Sequence, residues 1–387
     1  MSRILAVFLL TVPLFCSTLD GLIDYAMKHS TVVKQSQAQM ELAQANRDES
    51  TSAQYGSIDL VGSYTHFNLP RTLVPLTPAT ILVDPQGVAT TKDLWTTGVM
   101  YSIPLFTGFA QTRQVEMDSI SQRLTESKLL LTKEQLAFNV SSLYLSILAL
   151  QEMSFAQAKH VDAQKKLKNA IANEVKFGKK AQIDLLKAEN DLYGNLSYLE
   201  VLKGNVIIAK ASLSALVGMD QIGAIKAITV SVKKPNYSID RLLNEASSLN
   251  KVAISELNIK KAGKSIEKSR SSNLPQVSLS SYYGYNYGNN DSSNLNSGEF
   301  ESEKNWQVGL NAKWTLFDFG KRDAFTQKAK IAHMQATFDK QQTLLDLRKS
   351  LVEAVEKMKQ EYTNYQAHLK QYDLSKNQKL WQIVTQL

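Results

Sequence analysis

A chain of 387 residues with 43% hydrophobic content can bury a core; this excludes wholesale disorder and fits either two or three ordinary domains or one elongated repeat protein. The net charge of +8 comes from lysines scattered along helical patterns without an aromatic-lined basic cluster, an arrangement of solvated helix faces that speaks against nucleic-acid binding. Cys16 is the single cysteine, so disulfides, thiolate metal sites and cofactors are not expected.

Residues 1–17 place Arg3 before an apolar run from Ile4 to Phe15, the pattern of a cleaved secretory signal and too short to span a bilayer as a helix. Phe15 precedes Cys16 where a lipidated cysteine would follow small residues, so Cys16 reads as part of the signal. No later segment offers roughly 18 unbroken apolar residues, so any membrane insertion must use strands.

The rest of the sequence is duplicated. WTTGVMYSIPLF (95–106) aligns with WQVGLNAKWTLF (306–317) at an offset of 211, and a helical stretch from Leu22 to Ala53 matches one from Leu242 to Ser272 at an offset close to 220. The halves divide as 18–235 and 236–387, each in the order helix, strand, loop, strand, long helix. The predicted class is therefore α+β, mostly α, in two tandem repeats.

The strands alternate with period two. In the first half Ile58, Leu60 and Tyr64 oppose Asp59, Ser63 and Thr65, and Trp95, Val99, Tyr101, Ile103 and Leu105 oppose Thr96, Gly98 and Ser102. In the second half Val277, Leu279, Tyr283, Tyr285 and Tyr287 oppose Ser278, Ser280, Gly284 and Asn286; Trp306, Val308, Leu310, Ala312, Trp314 and Leu316 oppose Gln307, Gly309, Asn311, Lys313 and Thr315. Alternation alone fits a soluble sandwich or a membrane barrel. Aromatics near the strand ends, and no second sheet to cover them, favour lipid. This predicts that Trp95, Tyr101, Tyr283, Tyr285, Trp306 and Trp314 face lipid and that Asn286, Gln307, Asn311 and Lys313 face a lumen. The interstrand loops, with Pro70, Pro75, Pro78 and Pro85 in the first and a polar run in the second, suit the cell exterior. Four strands cannot close a barrel, so the barrel is expected to be shared by three copies with about twelve strands.

The helices carry a four-three apolar rhythm. It runs through Leu136, Val140, Leu143, Ile147 and Leu150, then from Leu185 to Leu216, and again from Leu351 to Tyr372. The first long helix, Gly108 to Lys176, would measure about 100 Å; Phe177-Gly178 breaks it, and Ile183 to Leu216 should fold back. Displaced by the repeat offset, that turn falls just beyond Leu387, so the second return helix is expected to be missing, from a truncated chain or from a subunit with a gap in its helical wall.

Catalytic patterns are absent. His29, His66, His160, His333 and His368 are isolated, and there is no H-E-x-x-H, G-x-S-x-G, Walker or G-x-G-x-x-G sequence, which points away from an enzyme and towards a conduit. The order of elements, with Pro-x-Val-x-Leu-Ser (275–280), Leu-Phe-Asp-Phe-Gly (316–320) and FGKKAQIDLLKAENDL (177–192), resembles the TolC family across the region after the signal. The resemblance implies a homotrimeric outer-membrane barrel continuous with a coiled-coil α-helical barrel in the periplasm, working with a periplasmic adaptor (membrane fusion) protein and an inner-membrane pump in efflux or type I secretion. It also implies adaptor docking at Phe177, Gly178, Lys179 and Lys180 and makes Asp184 a tunnel-entrance candidate; Lys187 stands where a second acid would be needed for an acidic ring. The rival reading is a periplasmic adaptor or other coiled-coil interaction protein, which needs β-rich domains around one hairpin.

Overall fold

The computed structural model describes residues 18–78, 82, 88–228, 232–246, 248–292 and 297–384. The signal segment with Cys16, and Pro85, lie outside these residues. In chain order the elements are α1 (Leu19–His29), α2 (Thr31–Ser52), β1 (Ser57–Thr72), β2 (Thr90–Phe106), α3 (Ala110–Lys176), α4 (Gln182–Val217), α5 (Ile239–Ala246), α6 (Asn250–Arg270), β3 (Gln276–Asn289), β4 (Phe300–Lys313) and α7 (Lys321–Val384). A 3-10 turn precedes the first strand of each half, at Ala53–Tyr55 and at Ser271–Asn273. The duplicated order predicted from sequence is therefore present.

Both helical stretches expected ahead of the strands are divided. Thr18 caps α1, its hydroxyl accepting from the Gly21 N–H at 3.3 Å, and α1 ends at Ser30 in an extended conformation. The break has a packing cause. Gly218 closes α4 with φ +80, and a Cβ there would lie 3.2 Å from the His29 carbonyl, so α4 docks against the α1–α2 junction. Likewise α5 and α6 replace one helix over 242–272.

Two compact units divide the chain: Met1–Gln39, Ser127–Ala246 and Arg348–Leu387 in one, Met40–Glu126 and Ser247–Leu347 in the other. The division cuts across the repeats, each of which contributes to both units. In the first unit the α4 seam buries Ala188, Leu192, Leu199, Leu202 and Leu213, as its rhythm required. Asn195 sits in this seam, where Gln157 Nε2 donates to its side-chain and main-chain oxygens, each at 3.1 Å. On α3 the seam buries Leu136, Val140 and Ile147; Tyr144, fully buried, fills the place expected of Leu143, its hydroxyl donating to the Lys226 carbonyl at 2.6 Å. On α7 only Val355 of the expected seam is buried, while Met358, Tyr365, Leu369 and Tyr372 are exposed. By length and composition α3 reaches the apolarity of a membrane span, and only about a fifth of that stretch is buried; Phe138 and Leu145 are among its exposed apolar residues.

The second unit holds one antiparallel sheet of order β1-β2-β3-β4. The repeats thus meet at β2–β3, leaving β1 and β4 as edge strands. Pro104 pairs with Ser278 but Phe106 pairs with Val277, so Leu105 is a bulge residue and Phe106 takes the apolar-face position expected of Leu105. Proline has no N–H to continue the ladder, which accounts for the slip.

Both strand-to-helix corners use two successive left-handed residues, Gly108 (φ +61) and Phe109 (φ +69) before α3, Phe319 (φ +56) and Gly320 (φ +86) before α7. Each corner is capped by equivalent positions. Thr107 Oγ1 accepts from the Gln111 N–H at 3.3 Å, and Asp318 Oδ2 accepts from the Arg322 N–H at 3.1 Å and from Arg322 Nε at 2.9 Å.

Candidate functional site

Strand pairing places side chains in rows across the sheet. One face carries Tyr64–Trp95–Tyr287, Leu60–Val99–Tyr283–Trp306, Ile58–Tyr101–Ser281–Val308 and Ile103–Leu279–Leu310. Its side chains are bare: Leu60 is 87% exposed, Leu310 68% and Trp306 66%, a contiguous apolar surface that an aqueous monomer seldom tolerates. Aromatic rings gather towards the loop end, with Tyr64 against Trp95 at 4.6 Å and Lys304 over the Tyr283 ring at 4.9 Å. Beyond them Asp93 accepts from Tyr64 and pairs with His66, both at 2.7 Å, so the apolar band ends in a polar rim. At the other end Trp314 Nε1 donates to the Asn273 carbonyl at 3.1 Å and the Tyr101 hydroxyl to the Tyr55 carbonyl at 3.1 Å. This two-ended aromatic placement, apolar body towards the band and polar tip bonded, is the geometry of a membrane interface.

The opposite face carries Thr96–Asn286–Glu303, Gly98–Gly284–Asn305, Met100–Tyr282–Gln307, Ser102–Ser280–Gly309 and Ser278–Asn311. All four residues expected on the polar side lie here, in different surroundings. Gln307 is exposed, and Asn311 Nδ2 donates to Ser280 Oγ at 3.2 Å. Lys313 lines a cavity of about 310 Å³ at the foot of the sheet with Asp318, Lys321 and Arg322. Asn286 is 9% exposed, so it is not a bare lining residue. Sequence reading missed Tyr282, whose ring covers Gly98 and Gly284 so closely that a Cβ on either would lie under 3 Å from it, and whose hydroxyl donates to the Thr97 carbonyl at 3.3 Å. Its even position among odd-numbered partners was the available signal.

Below the sheet, α3 and α6 are joined by an ion network in which Arg113 bonds Glu116 and Glu267 at 2.9 Å, and Lys264 bonds the same two carboxylates at 3.1 and 3.2 Å. Hydrogen bonds from Arg113 and Lys264, helped by their charges, hold the Glu116 carboxyl below its ordinary range, and the hydrogen bonds to Glu116 and Glu267 raise Lys264.

In the other unit, the α3–α4 turn closes by a paired backbone motif: the Lys179 N–H donates to the Glu174 carbonyl at 2.8 Å and the Gly178 N–H to the Val175 carbonyl at 2.9 Å, with Gly178 at φ +72. Phe177 is 74% exposed. Lys180 pairs with Glu174 at 2.9 Å. Asp184 lies in the first turn of α4, where its charge favours the helix N-terminus, and its N–H donates to the Ala181 carbonyl at 3.0 Å. A second apolar stripe on α4, Leu186, Tyr193, Val201 and Ile208, is exposed opposite the buried seam.

The two corners differ in cover. A Cβ at Gly108 would meet the Ser271 carbonyl at 2.3 Å, so the second repeat closes the first corner, whereas a Cβ at Gly320 would meet nothing within 4 Å among the described residues and Phe319 is 91% exposed.

An exposed apolar sheet face, a polar reverse and coiled-coil helices define a membrane-inserted β/α protein. The profile of the "Outer membrane efflux protein" family matches residues 22–219 and 239–386, and the chain belongs to this family. Among curated proteins, outer membrane protein TolC of Vibrio cholerae serotype O1 is 22% identical over 254 residues, 64% of this chain and 57% of that protein. The aligned stretch thus spans little more than half of that relative. Among solved structures, the CmeC outer membrane channel of Campylobacter jejuni superposes with a TM-score of 0.73 at 16% identity, covering 93% of this chain and 76% of CmeC. CusC, described for its transmembrane channel formation, gives 0.72 at 17%, covering 93% and 79%. The family places the chain in the outer membrane with its helical part in the periplasm.

Proposed function

We propose that the chain is one subunit of a trimeric outer-membrane channel, a passive conduit for small molecules or proteins in a tripartite efflux or type I secretion system. The observation that carries this reading is the sheet: apolar and exposed on one face, polar on the other, with an edge strand at each side whose backbone groups lack a partner among the described residues. Lipid has no water to satisfy such groups, so closure by further copies is the arrangement that suits it. Trp95, Tyr101, Tyr283, Tyr285, Trp306 and Trp314 then face lipid, and Gln307, Asn311 and Lys313 line the lumen. The uncovered Phe319 corner and the exposed stripe on α4 suit neighbouring copies.

The Phe177–Lys180 turn is the docking point for a periplasmic adaptor, which links the conduit to an inner-membrane pump. Asp184 beside it is the candidate for the entrance. Repeat boundaries at 18–235 and 236–387 complete the reading. Its test is reconstitution of the purified protein into planar bilayers, where discrete conductance steps are expected from a trimer extracted from the outer membrane. A water-soluble monomer without conductance would sink the proposal and favour the adaptor-like alternative.

A further inference from the structure

Near its tip β1 bulges out of the ladder and then rejoins it. His66 pairs with Asp93 and Arg71 with Thr91, so Phe67, Asn68, Leu69 and Pro70 face the single residue Lys92. An insertion of this kind, with a proline that has no N–H to offer, bends a strand sharply. Past the bend, the tip of the β1–β2 hairpin folds over the polar face of the sheet. Leu73 is 1% exposed, and its carbonyl accepts a hydrogen bond from Asn286 Nδ2 at 2.5 Å. Asn286 belongs to β3, which is separated from β1 by β2, so this bond ties the tip of the β1–β2 hairpin, where Arg71 and Thr72 stay paired with Thr91 and Thr90, to the polar face of β3.

The seat beneath the segment is built for it. Asn286 is oriented by Thr96, whose hydroxyl donates to its Oδ1 at 3.1 Å, and the Leu73 N–H donates to the Ala89 carbonyl at 3.2 Å. Thr91 is fully buried alongside, in a space that only glycine at 288 leaves open: a Cβ there would lie 2.5 Å from Thr91 Oγ1. Asn290, 1% exposed, accepts at Oδ1 from the Thr90 N–H at 3.4 Å and the Ser292 N–H at 3.0 Å. Arg71 is held in the bend over the Phe67 ring at 5.6 Å.

We propose that Arg71–Leu73 is a strap folded across the lumen side of the sheet at its loop end, tied down by Asn286, and that the strap from each copy narrows the outer mouth of the channel. The strap rests on the proposed channel function, in which the polar face lines a lumen. It gives Asn286 a role distinct from lining: it sets the width of the exit by holding a strap that carries an apolar Leu73 and a cationic Arg71. Pore width and lining charge are the two quantities that select what passes.

The test uses the full chain reconstituted in planar bilayers, in a Cys16→Ser background. Asn286→Asp keeps the acceptor for Thr96 and removes the donor to Leu73; Asn286→Ala, uncharged and too short to reach, guards against an effect of the added charge or poor assembly of the first variant. Both are expected to raise the conductance of the open channel. In parallel, Leu73→Cys is expected to resist a water-soluble thiol reagent, and that protection should be lost when either Asn286 substitution is added. Unchanged conductance in both variants overturns the constriction even where the thiol becomes reactive, and persistent protection of the thiol overturns the tether. If the unsubstituted protein conducts nothing, the channel reading fails and the strap with it; a conducting protein with unaltered variants refutes the strap alone.

Discussion

The pairing between copies can be worked out to the residue, because the chain contains its own template. Val99 lies opposite both Leu60 of β1 and Tyr283 of β3, and Leu310, its repeat counterpart, lies opposite Leu279. Leu60 and Leu279 are therefore equivalent. If β4 meets β1 of a neighbouring copy as β2 meets β3, Leu310 faces Tyr64, Asn311 faces Ser63 and Ala312 faces Gly62 of that copy. The stake is large. β4 has 14 residues, of which about half direct N–H and C=O outwards, and each group left unpaired in lipid costs several kcal/mol, a total on the order of tens of kcal/mol. Cysteine pairs at 312/62 and 311/63 sample both kinds of antiparallel site, one with Cα atoms about 4.5 Å apart and the other about 5.5 Å, within reach of a disulfide. Oxidation of outer membranes should convert at least one pair to covalently linked trimers on a non-reducing gel. Control pairs displaced by two residues, 312/60 and 312/64, should link poorly. Equal linking of the controls, or a monomer with an intact sheet in detergent, would refute the reasoning.

Three further outcomes are expected. Charge reversal at Lys179, which has no ion-pair partner among the described residues, should reduce export more than reversal at Lys180, which is engaged by Glu174, with barrel assembly preserved in both; equal export by all variants would count against adaptor docking at this turn. Tyr144→Phe should cost about 1 kcal/mol by orphaning the Lys226 carbonyl, and Tyr144→Ala about 3–5 kcal/mol through the cavity, read as lowered resistance to denaturant; a neutral alanine variant would contradict the buried seam. Glu116 has a folded pKa below the ordinary 4.5, so its contribution is complete above that value and fades as pH falls through the lowered one. Lys264→Gln removes one cause of the lowering and should move the acid limb of thermal stability to higher pH, whereas superimposable limbs would show that the network does not couple α3 to α6.

Much of this protein was legible because its signals are periodic and local. Period two sorted the strand faces, since each pleat sends neighbours to opposite sides, and the four-three rhythm picked out Leu136, Val140, Ile147 and the α4 seam. Duplication gave the element order, and the Phe177-Gly178 break located a turn whose left-handed glycine fits that position. Tertiary structure decided what depends on partners distant in sequence. The helix break at Ser30 follows from Gly218 pressing on His29, a contact across nearly the whole first repeat that no window of sequence carries. Tyr144 displaced Leu143 from the core because Lys226 offers its hydroxyl a partner. Asn286 read as a lumen residue by parity, and only the fold brought the bent tip of the β1–β2 hairpin over it. Alternation fixes which side of a sheet a residue faces; what lies over that side depends on how the chain returns to it.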